Sequence, residues 1–252
     1  MPDLSIIMEK ISKSQVKLVK SLQLKKFRDE LGLFVAEGEK CVSELKKAYE
    51  LVHLYREGEN ATRIEIEQMS GLRTPQGVIG VFKKRIQPSE VSIQPSDLIL
   101  ALDGIQDPGN LGTIIRTCDW FGVHDIFCSQ DTADCYNPKV VQATMGALAR
   151  VRIHYVNLPE WMKEFKIQNS KFKIYGTLLD GKDMYETVEN QKSKDKSGII
   201  VMGNEGNGIS EAVRPLITHP ILIPSYPKNA ETSESLNVSI ATAIVLAEFR
   251  RP

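Results

Sequence analysis

The chain has no excess of charge of either sign. Its 32 Lys and Arg balance 32 Asp and Glu over 252 residues. That balance excludes an overall basic nucleic-acid binder and leaves only local patches to hold a polyanion. Cysteine is scarce, and Cys41, Cys118, Cys128 and Cys135 form no C-x-x-C pair. A zinc ribbon or a dithiol redox centre is therefore not signalled. His124, Cys128 and Cys135 are loosely clustered, but their spacing matches no standard site, so no metal is expected. No apolar run reaches transmembrane length. The segment 1–20 lacks the apolar core of a secretory signal. With free thiols, these absences lead to the expectation of a cytoplasmic protein without a membrane partner. Internal repeats and low-complexity tracts are absent too.

What is present is an alternation of apolar runs and helical patterns. From residue 97 onward the runs 98–102, 125–129, 151–154, 172–178, 198–202 and 220–223 read as strands. Helical patterns lie near 110–121, 138–149, 159–167, 209–217 and 234–250. That rhythm predicts an α/β domain with a parallel sheet covered on both faces. The N-terminal part reads as a smaller α/β unit, with helices over 14–24 and 39–49 and strands over 33–36, 51–55 and 77–82. Pro88 and Pro95 mark a linker. The expected division is 1–88, a linker at 89–96, and 97–252.

Charge is uneven although it sums to zero. Seven basic residues (Lys10, Lys13, Lys17, Lys20, Lys25, Lys26, Arg28) and no acid fall between positions 10 and 28. Lys83-Lys84-Arg85 forms a second cluster. Either could hold a phosphate backbone or simply solvate a helix face.

Three segments, each following an apolar run, carry the candidate chemistry. The first is Asp107-Pro108-Gly109-Asn110, with Arg116 six residues beyond Asn110. Here Asn110 occupies an expected helix-capping position, and the helix turns Arg116 back toward the loop. A cation is thereby set at the carboxyl edge of a sheet, where open α/β folds bind ligands. The second is Gly203-Asn204-Glu205-Gly206-Asn207-Gly208. Its spacing is G-x-x-G-x-G, and no GK[ST] follows, so neither a dinucleotide fingerprint nor a phosphate-binding loop is present. The third is Ile223-Pro224, followed after a loop by Ser235-Leu236-Asn237-Val238-Ser239 at the head of a long apolar helix.

In order, spacing and residue type, these three segments resemble the motifs of the SpoU (TrmH-like) RNA ribose 2′-O-methyltransferases of the SPOUT superfamily. The resemblance covers roughly 98–250. A weaker likeness joins Lys25-Lys26-Phe27-Arg28-Asp29, 32–38 and Thr74-Pro75-Gln76-Gly77 to the family's accessory substrate-binding domain. One departure is the stretch 225–233, which is longer than in relatives and has no Gly.

The resemblance implies a deep trefoil knot, a homodimer through the C-terminal domain, and S-adenosylmethionine as methyl donor. It implies donor contacts from Thr177, Leu178, Gly203, Asn204, Glu205, Gly206, Ile223, Leu236 and Asn237. Arg116 is implied as the essential cation, with Asn110, Ser235, Asn237 and Glu205 around it and Ser235 hydrogen-bonded to Arg116. A guanidinium stays charged in proteins, so Arg116 is better suited to clamping a phosphate or alkoxide than to removing a proton. Arg116, Lys13, Lys17, Lys25, Lys26 and Arg28 are the expected RNA contacts. Large-subunit ribosomal RNA is the preferred substrate and transfer RNA the alternative. Three further readings stay open: a non-catalytic RNA-binding module, a nucleotide-dependent Rossmann enzyme, and an antibiotic-resistance methyltransferase using the same chemistry.

Overall fold

The computed structural model describes residues 11–85, 93–94, 97–169, 172–189, 197–227 and 235–251. Lys10, most of the expected linker and most of the 225–233 stretch lie outside them. The chain divides into two compact units, one of residues 1–86 with 134–149, the other of 87–133 with 150–252.

In the first unit, α1 (Lys13–Ser21) begins with a capping box. Ser12 accepts from the Gln15 amide, and the Gln15 side chain accepts from the Ser12 N–H at 2.8 Å. The helix expected over 14–24 stops at Leu22, and α2 (Lys25–Leu31) starts afresh and ends on Gly32 in the left-handed region, φ 65°. Three antiparallel strands follow, β1 (Leu33–Glu37), β2 (Leu51–Arg56) and β3 (Val78–Lys83), in the order β1-β3-β2. Helices α3 (Glu39–Leu45) and α4 (Arg63–Met69) complete this part. One sheet face buries Val35, Tyr55, Ile79 and Val81 against Val19, Leu22, Ile66 and Met69. On the other, the Phe34 ring lies 5.6 Å from Phe82 and 5.1 Å from Tyr49.

The second unit begins with β4 (Leu98–Asp103), α5 (Pro108–Trp120) and β5 (Asp125–Cys128). The chain then contributes α6 (Pro138–Thr144) and a short 3-10 turn, Ala147–Ala149, to the first unit. The continuous helix expected over 138–149 is interrupted by Met145 at φ 52° and Gly146 at φ 91°. A Cβ on Gly146 would sit 2.6 Å from the Glu44 Cβ, so the backbone needs glycine to come this close to α3. Aromatic Tyr136 of this segment lies 4.7 Å from Phe34.

Back in the second unit come β6 (Arg152–Tyr155), α7 (Leu158–Gln168), β7 (Ile174–Asp183), α8 (Met184–Glu189), β8 (Gly198–Gly203), β9 (His219–Leu222) and α9 (Val238–Phe249). The six strands run parallel in the order β6-β5-β4-β8-β7-β9. The predicted parallel α/β sheet is therefore what the residues build. Ile99, Ala101, Ile199 and Val201 of the central strands pack with Leu158, Met162 and Phe165 of α7. Their near-continuous apolar sequence reflects burial on both faces. Helices α5 and α9 lie against each other.

The expected helix over 209–217 reduces to turns and a 3-10 segment, Arg214–Leu216, because Pro215 has no N–H for an α-helical ladder. Strand β7 runs past its expected end, with an irregularity between Thr177 and Lys182 where it meets β9.

Candidate active site

The register of the central strands places the loops. Asp103 pairs with Gly203, so β4 and β8 end level and release their loops side by side. The buried Asp103 carboxylate accepts the Ser210 N–H at 2.7 Å. Gly104, at φ 74°, is held from two sides. Its N–H donates to Ser129 Oγ at 2.8 Å, and its carbonyl accepts from Asn204 Nδ2 at 2.7 Å. The first and second motif loops are thus stitched together before either reaches its exposed tip.

Gly203 is fixed by sterics. A Cβ there would lie 2.3 Å from both Gly208 C and Ile209 N, which no side chain can occupy. The tight approach is closed by reciprocal backbone bonds between Asn204 and Gly208, both 2.9 Å. Asn204 Oδ1 also accepts from the Gly206 and Asn207 amides at 2.9 and 3.0 Å. This self-bonded turn presents Glu205 outward.

Helix α5 is capped by Asp107, whose Oδ1 accepts the Asn110 N–H at 2.8 Å, with Pro108 in the first turn. Asn110 is therefore not the cap expected from the sequence but the third helical residue. Its side chain, relieved of capping, reaches across the site. Asn110 Nδ2 donates to Glu205 Oε1 at 3.0 Å, and Asn237 Nδ2 donates to Asn110 Oδ1 at 2.9 Å. Asn237 Oδ1 simultaneously caps α9, accepting from Ser239 N, Ser239 Oγ and Ile240 N at 3.0, 2.6 and 3.3 Å. Asn237 is thus the N-cap of α9. One relay, Asn237–Asn110–Glu205, joins all three motif loops.

Arg116 stands exposed on α5, and Ser235 and Leu236 are exposed before α9. Neither the Arg116 side chain nor the Ser235 side chain hydrogen-bonds a described residue, so the expected bond between them is not made. Thr177 and Leu178 of β7 follow its last pair with β8, Gly176–Val201; Met202 and Gly203 end β8, and Ile223 follows β9, whose Ile221 pairs with Thr177. Thr177 Oγ1 donates to the Val201 carbonyl at 3.2 Å, tying β7 to β8 at that edge. Among the described residues no three His, Cys, Asp or Glu side chains are grouped to hold a metal. All four cysteines are buried thiols, and burial pushes Cys41 up to about 11.

The basic residues part company. Lys13, Lys17, Lys25 and Lys26 are exposed, Lys25 with Asp29 beside it at 2.5 Å. Arg28, expected among the RNA contacts, is 1% exposed. Its guanidinium binds Asp134 Oδ2 through Nε and Nη2 at 3.1 and 2.7 Å, and Nη1 donates to the Leu22 and Gln23 carbonyls. It cannot face solvent RNA in this position. The second cluster is similarly engaged: Lys83 meets Glu50, Lys84 meets Asp29, and Arg85 lies 4.3 Å over the Tyr49 ring.

The sequence reading missed Asp103 and Ser129, and it named Asp107 in the first motif without giving it the cap. Asp107 had a signal, an acid directly before a helix-starting proline; Ser129, 25 residues from Gly104, had none.

Residues 97–247 match the SpoU rRNA Methylase family, and residues 13–63 match an MRM3-like substrate binding domain. The 23S rRNA (guanosine(2553)-2′-O)-methyltransferase RlmP of Bacillus subtilis is 30% identical, over 96% of this chain and 98% of its own. The 23S rRNA (guanosine-2′-O-)-methyltransferase RlmB of Neisseria meningitidis is 34% identical, over 70% and 69%. A TrmH-family structure from Porphyromonas gingivalis superposes with a TM-score of 0.83 at 36% identity, over 96% of this chain and 98% of that one. An AdoMet-bound rRNA methyltransferase from Sinorhizobium meliloti gives 0.80 at 31%, over 95% and 96%. The three stitched loops therefore sit in a chain that belongs to the SpoU rRNA methylase family.

Proposed function

We propose that this protein transfers a methyl group from S-adenosylmethionine to a ribose 2′-hydroxyl of large-subunit ribosomal RNA. The observation that carries the reading is the Asn237–Asn110–Glu205 relay at the carboxyl edge of a parallel sheet, with Arg116 exposed further along α5 and its side chain unpaired among the described residues. Full-length likeness to a 23S rRNA enzyme supports ribosomal over transfer RNA.

The edge formed by Thr177–Leu178 of β7 and the ends of β8 and β9 suits the donor. It offers main-chain groups of Thr177, Leu178, Gly203 and Ile223 in one row, with the Asn204–Gly206 turn, Leu236 and Asn237 alongside. When bound, S-adenosylmethionine supplies an electrophilic methyl group. The protein's task is then to fix the attacking oxygen in line with it, and positioning alone is worth on the order of 7–11 kcal/mol in the best intramolecular cases. Arg116 clamps a phosphate next to the target ribose, or the developing alkoxide, as a permanent cation. Asn110, locked between a donor on Asn237 and an acceptor on Glu205, holds the rim against which the ribose rests. Ser235 lies beside Asn237 on the same loop. Lys13, Lys17, Lys25 and Lys26 on the outer side of α1 and α2 attract the RNA backbone.

The same reading includes a knot and a dimer. β9 is an edge strand beside β7, whereas α9, which follows it, lies against α5 and β8; this supports a threaded C-terminal segment. Helix α9 leaves Ile240 54% exposed, and neighbouring α5 leaves Trp120 86% exposed. Apolar side chains so placed on two adjoining helices support self-association through this unit. No described helix is long and apolar enough to cross a membrane.

The test is transfer of labelled methyl from S-adenosylmethionine to ribosomal RNA of a strain lacking the gene, with Arg116→Ala in parallel. The expected result is label on one ribose 2′-oxygen, lost in the variant. Equal labelling by both proteins would remove Arg116 from the mechanism, and no labelling by the wild type would overturn the reading.

A further inference from the structure

We propose that Asp131, on the loop after β5, reads the base of the target nucleotide and selects guanine; the proposal rests on the methyltransferase reading above. Every group it uses lies within the second unit. Strands β4 and β5 pair as far as Leu102 and Cys128, so residues 129–133 leave the sheet alongside 103–105. The two segments are laced together. Ser129 donates its N–H to the Leu102 carbonyl at 2.9 Å, and Gly104 donates its N–H to Ser129 Oγ at 2.8 Å. Ala133 donates its N–H to the Ile105 carbonyl at 2.8 Å and accepts from the Tyr155 hydroxyl at 2.5 Å. Between these ties, Thr132 donates its N–H to the Ser129 carbonyl at 3.1 Å, and its buried hydroxyl lies 3.0 Å from Ser129 Oγ. Asp131 is carried on a turn that is fixed on both sides.

Its side chain takes no part in the lacing. Asp131 is exposed, and its carboxylate makes no hydrogen bond or ion pair with a described residue. It nevertheless lies against the site. Asp131 Oδ2 is 3.2 Å from the point where a Cβ on Gly104 would stand, and Asn204 Cβ is 3.7 Å from that same point. The free carboxylate therefore borders the seam at which Asn204 Nδ2 ties the second motif loop to the Gly104 carbonyl of the first. Strand order gives its side of the site. In β5-β4-β8-β7-β9, the donor edge runs from β8 to β9, and Asp131 enters from β5 on the opposite flank. A nucleotide that turns its ribose toward the donor meets Asp131 with the part remote from the methyl group, its base.

Chemistry then selects the base. An ionised carboxylate only accepts hydrogen bonds, and it repels phosphate. What it can take from RNA is an N–H or O–H donor. Unstacked bases offer their Watson–Crick edges to protein side chains. Guanine alone among the four standard bases has two neighbouring N–H donors there, N1–H and the 2-amino group, spaced for the two oxygens of one carboxylate. Adenine and cytosine set a ring lone pair beside their amino group, against the second oxygen. Uracil has a single N–H between two carbonyls. Because the turn is already fixed, the carboxylate needs no rearrangement to meet guanine, and a site built around such bonds rejects a base that lacks the donors.

The experiment uses full-length wild type, Asp131→Ala and Asp131→Asn. The nucleoside labelled in large-subunit ribosomal RNA is first identified and its position mapped. RNA fragments spanning that position are then made with guanosine or inosine there, inosine lacking only the 2-amino group. Melting temperature and S-adenosylmethionine affinity, expected to match wild type in both variants, show that fold and donor site are intact. We expect label on guanosine. Wild type should prefer the guanosine fragment by about tenfold or more in kcat/KM, the scale of one hydrogen bond to a charged group. Asp131→Ala should be slower on guanosine by about a hundredfold and Asp131→Asn by about tenfold. In Asp131→Ala the guanosine-to-inosine ratio should fall to near one, a change that a merely structural role would not produce. Label on any other nucleoside, a wild-type rate in Asp131→Ala, or an undiminished ratio in that variant would overturn the proposal and leave the methyltransferase reading standing. A wild type that labels no RNA would overturn both.

Discussion

Asn237 performs two tasks with two different atoms, and one substitution separates them. Its Oδ1 caps α9 through three donors; its Nδ2 orients Asn110. Asn237→Ala removes both. Loss of an N-cap costs about 1 kcal/mol, which for a domain of this size lowers Tm by roughly 2–4 °C. Asn237→Asp keeps an equally good cap, since Asp and Asn serve alike at that position and a negative charge suits a helix N-terminus. What Asp cannot do is donate. Asn110 has one donor side and one acceptor side, and it lies between Asn237 and the Glu205 carboxylate. With a carboxylate on each flank, either orientation of the Asn110 amide leaves its oxygen facing an acceptor. One relay bond is then lost whichever way the amide turns. Because these residues are partly exposed, water replaces the bond and stability hardly changes, but the rim loses its fixed geometry. The expected result for Asn237→Asp is a Tm within about 1 °C of wild type and methyl transfer slower by about tenfold, equivalent to ~1.4 kcal/mol. Asn237→Ala should show both losses. An Asp variant that melts as early as the Ala variant would refute the cap assignment. An Asp variant that methylates at the wild-type rate would refute the relay.

Gly203→Ala forces a Cβ to within 2.3 Å of Gly208 and Ile209 backbone atoms, so the turn must open by about 1 Å to reach ordinary contact. Donor affinity measured by calorimetry should fall by at least about tenfold, and unchanged affinity would separate this turn from the donor site. Arg116→Lys should retain part of the activity near neutral pH and lose it as pH rises through about 10, where lysine deprotonates; a rate that instead climbs there would mark position 116 as a base. Asp125 is a stability probe away from the site: burial tends to raise its carboxyl, but hydrogen bonds from His154 and Arg152 outweigh this and hold it below 3.8. A lowered folded-state value contributes stability that is complete above 3.8 and disappears as pH falls through the lowered value. Asp125→Asn should therefore cost about 2 kcal/mol at pH 7 in urea unfolding, with the difference from wild type shrinking below 3.8; a gap that persists undiminished in acid would show that the charge is not what stabilises.

The sheet was legible because strands buried on both faces write themselves as apolar runs. Leu98–Asp103 and Gly198–Gly203 lie close to the expected 98–102 and 198–202. Local motif order then set three loops at one sheet edge, and the relay among Asn110, Glu205 and Asn237 joins residues the sequence had singled out one at a time. The failures have a common physical origin. A helix pattern over 138–149 gave no hint that Gly146 must lie against Glu44, because the reason for the break is about 100 residues away in the chain. The basic run up to Arg28 read as solvent-facing, because composition reports charge and not the acid that meets it. Asp134, the residue that buries Arg28, sits 106 positions later. A buried Arg–Asp pair is a poor source of net stability, since desolvation consumes most of the attraction. Its retention in a small unit with a sufficient apolar core of Val35, Ile79, Val81 and Met69 needs another reason. Placement supplies one: an apolar replacement could fill the volume, but only directional donors fix Asp134 to the break between α1 and α2, where Arg28 also meets the Leu22 and Gln23 carbonyls.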